Sequence, residues 1–523
     1  MARTPRHDAD LLVIGGGAAG LTAAAGAARF GARVVLAERE PALGGDCLHH
    51  GCVPSKTLLA TARARHVMRR AALFGLPAPE LEPVDFAAVA RRIREVQAVI
   101  QRHDSPQRFT GLGVDVRFGP ARFCDEHTVD IGGRRVSAAR ILIATGSSPQ
   151  LPPLPGLDTV PFLTNRELFS LDALPASLLV LGGGPMACEM AQAFARLGSR
   201  VTMVLRGPRI LPRDDADMAG VVHASLAADG VRVLAGATVK MLRAVSAVSA
   251  VSGSSGSSGG LGESGGLGKP GEPVGPDGND AAGTGVEAEL EVPQGEGRGP
   301  LVVRADRLLA ALGRTPETAG LDLAAAGVAT GRHGGITVDG RMRTSQPHVF
   351  AAGDVTGDWQ FTHAAGHEAG VVVANAVLRL PRRADHARMP WCTFTDPELA
   401  SVGCNERMAA ERGLPVDVHV EPFASNDRAL AEGTPEGRLK LVLRKGGNRV
   451  LGVQAVGPHA GEVLNEWVAV LGGGVRLSAL AGAVHPYPTL GEISARAAGN
   501  VVSRVLFSAG ARRLLRLLFG YRG

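Results

Sequence analysis

DLLVIGGGAAGLTAAAGAARFGARVVLAERE, residues 10–40, is the stretch whose reading decides the fold. Its opening run from Leu11 is apolar without alternation, as in a strand buried on both faces. A glycine turn, an alanine-rich helical stretch and a second apolar run, RVVLAE, complete one βαβ unit. Gly15, Gly17 and Gly20 make G-x-G-x-x-G between strand and helix. Glycines at these places permit the tight turn, the close approach of a pyrophosphate and close helix–strand packing. The helix N-terminus then presents N–H groups to the phosphates. Glu38 ends the second strand, where an acid accepts hydrogen bonds from a ribose. With strand, helix and terminal acid all present, the unit reads as a dinucleotide site.

A second unit of the same design begins at SLLVLGGGPMACEMAQAFARLGSRVTMVLR, residues 177–206. Here Gly182, Gly184 and Ala187 give G-x-G-x-x-A, and Arg206 stands where an acid would bind a free 2′-hydroxyl. A cation there suits a 2′-phosphate and favours NADPH over NADH. Arg209 and Arg213 are close enough in sequence to assist, or to lie solvated in a loop.

With 523 residues the chain is too long for a single core, and about three domains are expected. The net charge of +6 is spread over 56 basic and 50 acidic residues, without a basic arm, and aromatics are only 4%. Nucleic-acid binding is therefore not expected. Residues 251–283 are dominated by Gly, Ser and Pro and read as a flexible insert in a hairpin, since MLRAVSAV before it and VEAELEV after it both look like strands. After Pro390 the pattern changes to antiparallel-type strands and helices, a separate α+β region. Leu11–Ala28 is interrupted by glycines and preceded by Asp8 and Asp10, so it is not read as a signal peptide. With no stretch long enough to span a membrane, the expected location is the cytoplasm.

Six cysteines in so long a chain are not a disulfide scaffold. Cys124, Cys188, Cys392 and Cys404 are scattered and are expected to be buried small hydrophobes. GGDCLHHGCVPSK, residues 44–56, is different, because four residues separate Cys47 from Cys52. A zinc site would need His49 and His50 as ligands in a knot too tight for tetrahedral geometry. A static disulfide would be unusual in a reducing compartment. A helix beginning near Pro54 would set its N-terminus beside Cys52 and lower the thiol pKa, with Lys56 adding positive charge. The pair reads as redox-active.

On these motifs the whole chain outside the insert resembles the flavin-dependent pyridine nucleotide-disulfide oxidoreductases, the group of glutathione reductase, dihydrolipoamide dehydrogenase and mercuric reductase. The resemblance implies an α/β fold: two Rossmann-type, three-layer dinucleotide-binding domains and a C-terminal α+β dimerisation domain, working as a homodimer. It implies an FAD-binding domain in two parts, 1–152 and 315–387, around an NAD(P)-binding domain at 153–314. A dimerisation domain would follow at 388–503, and a basic tail at 504–523. By the same resemblance Cys52 faces the flavin and Cys47 is the interchange thiol that meets substrate. Lys56 lies near the flavin and pairs with Glu189, itself beside the NAD(P) site. ATGSSP, with Thr145 and Gly146, and ALGRTP, with Gly313, resemble the two crossover segments between domains. VFAAGDV resembles the second flavin motif, in which Asp354 holds the ribityl chain.

The chain departs from the pattern at HPYPTLGE, residues 485–492. The family's disulfide reductases carry a catalytic histidine where this chain has Tyr487; Glu492 keeps its place, and His485 is two residues away. A phenol with pKa near 10 is a poor proton shuttle at neutral pH. Tyrosine here, GGDCLHHGC and FTHAAGHEAG (361–370) resemble mercuric-reductase-like flavoproteins. Yet the chain's last cysteine is Cys404, so the vicinal pair common at the mercuric reductase C-terminus is missing. The expected acceptor is a small-molecule disulfide or a thiol-bound metal species, with no metal held by the protein itself. The alternatives are a dihydrolipoamide dehydrogenase, and an FAD-binding redox sensor with little turnover. The tail from Ser503 carries five arginines among leucines and phenylalanines. It reads either as a helix packed on the protein or as an amphipathic helix in weak contact with an anionic membrane.

Overall fold

Leu11–Ile14 sits in the middle of a five-stranded parallel sheet, ordered Val349–Ala351, Ile141–Ile143, Leu11–Ile14, Val34–Glu38, Val114–Phe118. The computed structural model describes residues 7–246, 284–295, 297–507 and 509–520. Strands from both sides of the second βαβ unit thus share this sheet. The helix Ala18–Arg29 packs against the helix Thr362–Ala376, and its small residues let the two approach: a Cβ on Gly26 would lie 3.4 Å from Val373. Ala23, Ala24 and Ala27 are buried in the same core as Ala369, Val372 and Val373.

The second unit builds its own parallel sheet, ordered Arg232–Ala235, Arg200–Leu205, Ser177–Leu181, Arg307–Ala310, Phe162–Leu163. Its helix Pro185–Leu197 packs against the helix Cys52–Arg69, with Phe86 and Phe194 in ring contact at the seam. That packing brings Glu189 to face Lys56. Thr238–Ser246 and Thr284–Gln294 pair antiparallel, from Thr238 opposite Glu291 to Ser246 opposite Thr284. The two strands flanking the glycine-rich stretch therefore belong to one hairpin, while the insert expected at 251–283 lies outside the described residues.

Beyond Pro390 an antiparallel sheet runs in the order Pro390–Thr393, Glu398–Gly403, Val450–Gly457, Arg438–Arg444, Val416–Pro422. The helices Ala460–Leu471 and Glu492–Leu506 cover it, with Trp467 fully buried and its indole N–H donating to Ser494 Oγ at 3.0 Å. Buried Lys440 places its ammonium among Asp215, Asp217 and Glu406, 2.5 Å from Asp217 and 2.6 Å from Glu406. The centre of this carboxylate cluster is thus already occupied by a side-chain cation. Cys188 and Cys404 are buried as expected; Cys392 is only half-buried, and Cys124 lies exposed where the chain leaves the short strand Ala121–Phe123, contrary to expectation. Among the described residues no helix is long and apolar enough to cross a membrane.

Candidate functional site

The first glycine loop has no room for side chains. Gly15 has φ +109°, and a Cβ there would lie 2.3 Å from the Ala144 carbonyl oxygen; one on Gly20 would lie 1.8 Å from the Gly15 oxygen. At Gly17 a Cβ would only touch Gly45 Cα, at 3.8 Å, and the position otherwise borders open space. The space is a cavity of about 670 Å³ lined by Gly15, Gly17, Glu38, Asp46, Thr145 and Gly146, among others. Glu38 also braces the loop: its carboxylate accepts the Gly16 N–H at 2.6 Å and the Glu40 N–H at 2.8 Å. A glycine cradle, a helix N-terminus and a terminal acid around one cleft fit the adenosine diphosphate half of FAD.

The two crossover segments pair with each other, Ser147–Pro149 antiparallel to Arg314–Pro316. Thr145 Oγ1 donates to the Glu317 carbonyl at 2.6 Å, the Glu317 N–H to the Gly146 carbonyl at 2.9 Å, and the Gln150 N–H to the Gly313 carbonyl at 2.9 Å. Asp354 accepts the Ser147 hydroxyl at 2.6 Å; burial pushes its pKa up, opposed by that bond and by Arg314. Arg314 was not singled out by sequence, yet it ties the site together. Its guanidinium bonds Ser147 Oγ and O at 2.7 Å each, and pairs with Asp46 at 2.9 Å, one residue before Cys47.

Cys47 belongs to a short helix, Gly45–His49, and Cys52 opens the next, Cys52–Arg69. That helix starts two residues before the expected Pro54. A proline in the first turn costs no hydrogen bond, because those N–H groups have no helical partner anyway. The glycines ahead of Cys47 have a steric reason, since a Cβ on Gly45 would lie 2.8 Å from Gly17 Cα. The redox helix is thereby seated on the phosphate loop. His49 turns away to bond the Leu43 carbonyl at 3.0 Å.

Both cysteines carry free thiols, and they share a proton unequally. The Cys52 pKa falls to about 6, first through the hydrogen bond from Cys47, then through Thr362 and the charge on Lys56, against the cost of burial. Cys47 is pushed up by the same bond and by burial. Thr362 Oγ1 lies 3.3 Å from Cys52 Sγ. One turn along, Lys56 Nζ meets Glu189 at 2.7 Å and sits 4.4 Å from the centroid of the Phe394 ring, whose own backbone N–H donates to Glu189 at 2.9 Å. Thr362 lies in the FTHAAGHEAG stretch, but nothing in the sequence tied it, or Phe394, to the cysteines and Lys56.

The second glycine loop repeats the first. Gly182 has φ +126° and a Cβ there would lie 2.2 Å from the Ala311 oxygen; around Gly184 there is open space, and Ala187 is buried. Arg206 is exposed just after the strand Arg200–Leu205 and makes no ion pair among the described residues. Arg209 is committed elsewhere: its guanidinium donates to the carbonyls of Ile210, Leu211, Pro212 and Asp214. Arg213 lies over the Trp359 ring at 5.6 Å.

Tyr487 is 71% exposed in the single chain and donates its hydroxyl to Asp427 at 2.9 Å, a bond that raises its pKa. Glu492 accepts the Thr489 N–H at 3.2 Å. His485 is directed onto Glu466 at 2.9 Å through Nε2, with Nδ1 3.2 Å from the Ala483 carbonyl. Both ring nitrogens face oxygen atoms, so His485 ties its loop to Glu466 and to the Ala483 carbonyl.

Two family profiles match the chain: pyridine nucleotide-disulphide oxidoreductase over residues 9–369, and the dimerisation domain of that group over 389–498. A mercuric reductase of Streptomyces lividans is 34% identical over 502 residues, covering 95% of this chain and 97% of the relative. A dihydrolipoyl dehydrogenase of Thermus scotoductus is also 34% identical, over 92% of this chain and 95% of its own. Among solved structures, the Cu(II) complex of the HOCl-induced flavoprotein disulfide reductase RclA from Escherichia coli superposes with a TM-score of 0.74 at 27% identity, over 92% of this chain and 98% of that one. Two glycine cradles, a thiol pair and an ion-paired lysine are thus accompanied by end-to-end similarity, and the chain belongs to the pyridine nucleotide-disulphide oxidoreductases, FAD-dependent enzymes that exchange electrons between NAD(P)H and a disulfide.

Proposed function

We propose that this enzyme uses NADPH to reduce a disulfide or a thiol-bound metal species through the Cys47–Cys52 pair, at a site completed by a second copy of the chain in a cytoplasmic homodimer. The observation that carries the reading is the asymmetric thiol pair: Cys52 lowered to about 6 beside Lys56, with Cys47 holding the proton. FAD, when bound, supplies the two-electron relay between nicotinamide and cysteines. Gly15, Gly17, Gly20, Glu38, Thr145, Gly146, Lys56 and Asp354 hold it. Gly182, Gly184, Ala187, Glu189 and Gly313 form the nicotinamide side, with Arg206 on the 2′-phosphate.

Reduced Cys47 passes its proton to Cys52, its hydrogen-bond partner, and attacks one sulfur of the acceptor disulfide. The S–S bond of the acceptor breaks and a mixed disulfide forms. Cys52 gives its proton to the first leaving thiolate and attacks Cys47 Sγ. This closes the Cys47–Cys52 disulfide and releases the second thiolate, which takes a proton from solvent, so one electron pair leaves with two product thiols, one proton coming from the pair and one from water. Proton exchange within the pair lets the cycle run without a histidine at position 487. With a thiol-bound metal ion, the same electron pair goes to the metal. The copper complex of the RclA relative supports a metal-accepting site in this group. The dihydrolipoyl dehydrogenase relative favours a second reading, the oxidation of a dithiol by NAD; Arg206 and Tyr487 count against it. Turnover of NADPH against Hg(II)–thiol complexes, Cu(II), oxidised glutathione, lipoamide and quinones separates these readings. Strong preference for a metal or disulfide with NADPH is expected, and preference for lipoamide with NADH would replace it. No turnover with any acceptor would instead favour the sensor.

A further inference from the structure

Residues 206–215 join the strand Arg200–Leu205 to the helix Ala216–Ala228 without regular structure, and Arg206 stands exposed at their start. Left alone, such a loop samples many shapes, and an arginine on it spends only part of its time where a phosphate could meet it. Here the loop is fixed in three places. Beside the second cradle, the Leu211 N–H donates to the Gly183 carbonyl at 2.8 Å, with Leu211 buried at φ +46°. That left-handed conformation is unfavourable for leucine and persists only where the surroundings over-determine it. Within the loop, Arg209 donates to the carbonyls of Ile210, Leu211, Pro212 and Asp214, so the backbone is wrapped around one guanidinium. At the far end Asp214 is buried, and its Oδ1 accepts the Trp391 indole N–H at 2.8 Å, the Ser401 hydroxyl at 2.8 Å and the Gln454 amide at 3.2 Å.

A buried carboxylate held by three neutral donors is a costly way to fill space, and an apolar side chain would pack there at lower cost. Its donors come from three strands of the antiparallel sheet, Pro390–Thr393, Glu398–Gly403 and Val450–Gly457, all within the dimerisation profile. Asn405, from the same region, holds the Arg213 carbonyl at 2.8 Å. What the carboxylate gains is a fixed address for the loop on that sheet. We infer that Asp214 and Arg209 are positioning residues for NADPH: they hold residues 206–215 in the one shape that presents Arg206 to the 2′-phosphate, so the choice of NADPH over NADH is anchored in the dimerisation region. This rests on Arg206 meeting the 2′-phosphate, as proposed above; Asp214 and Arg209 act only through it.

The test is titration calorimetry of NADP+ and of NAD+ into the full-chain oxidised enzyme, beside the limiting rate of flavin reduction by NADPH in stopped flow. Neither needs an acceptor. Asp214→Ala is expected to raise Kd for NADP+ roughly tenfold, as loss of a buried hydrogen-bonded anchor, and to leave NAD+ and the limiting rate in place. Removing a carboxylate cannot weaken attraction for a phosphate, so that rise reports position and not charge. Asp214→Asn keeps an oxygen for the three donors and restores NADP+ binding. Arg209→Lys keeps the charge but cannot span four carbonyls, and weakens NADP+ as Asp214→Ala does. In Arg206→Ala/Asp214→Ala the second change adds little to the first, because both act on one contact. If Arg206→Ala alone weakens both cofactors equally, the phosphate reading falls and this role with it. If Arg206→Ala weakens only NADP+, three results overturn the positioning role and leave Arg206 standing: unchanged NADP+ binding in Asp214→Ala, equal losses of both cofactors there, or additivity in the double variant. Should Asp214→Ala not fold, Arg209→Lys decides on its own, and an NADP+ Kd like that of the parent enzyme overturns the assignment.

Discussion

The two glycine cradles are built alike and used differently. In each, the first glycine presses on the backbone oxygen of the residue that opens a crossover segment, Gly15 on Ala144 and Gly182 on Ala311, with nearly the same positive φ. In each, the second glycine faces open space or nearly so. The cradles part at the third position and at the end of the second strand. Gly20 approaches Gly15 so closely that no side chain fits, whereas Ala187 has room for its methyl. Glu38 is a buried acid that braces its loop, while Arg206 is an exposed cation. The shared geometry suits a pyrophosphate. On the proposed reading the two points of difference decide which dinucleotide goes where, and only the first cradle has the thiol-bearing helix seated on it.

Exchanging the third positions breaks the comparison most severely. Gly20→Ala is expected to yield protein that purifies without flavin absorbance, since overpacking at that contact costs roughly 1–3 kcal/mol or more. Ala187→Gly keeps its flavin and loses only about 1 kcal/mol in thermal or denaturant unfolding. A yellow, fully stable Gly20→Ala protein would show that the contact is not needed. At the strand end, Arg206→Ala should raise KM for NADPH roughly 10–100-fold and leave KM for NADH in place, as loss of a charge-assisted contact demands. An equal rise for both cofactors would remove Arg206 from the phosphate. Glu189→Gln cuts the one ion pair that joins the second cradle's helix to the redox helix. Because Lys56 is 37% exposed, the loss is discounted to about 1 kcal/mol, roughly a fivefold slower reduction of flavin by NADPH in stopped flow. An unchanged rate would make Lys56–Glu189 a packing feature alone.

Much of this was legible in the sequence, for a physical reason. Backbone constraints such as Gly15 and Gly182, and the apolar strands either side of them, leave local patterns that read directly. The pairing of Lys56 with Glu189 could be drawn only from the family resemblance, since the two lie far apart in the chain. Contacts between distant side chains left no pattern: Arg314 on Asp46, Thr362 on Cys52 and Glu466 on His485 all emerge from tertiary packing. Arg209, which sequence left open between a phosphate contact and a loop role, spends its donors on its own loop's carbonyls. Gly44 and Gly45 were visible as letters, but their purposes, room for the Leu48 side chain at Gly44 and for the redox helix to rest on Gly17 at Gly45, needed the fold.

The claim beneath all of this is that Cys52 is the thiolate partner of the flavin and Cys47 its proton-holding mate. Anaerobic reduction by NADPH, followed at long wavelength across pH, tests it most directly. A lowered thiol pKa keeps the thiolate at all pH above it, so the account predicts a thiolate–flavin charge-transfer band that is full at neutral pH, fades as pH falls through about 6, and is missing in Cys52→Ser. A band that persists in Cys52→Ser would contradict the assignment.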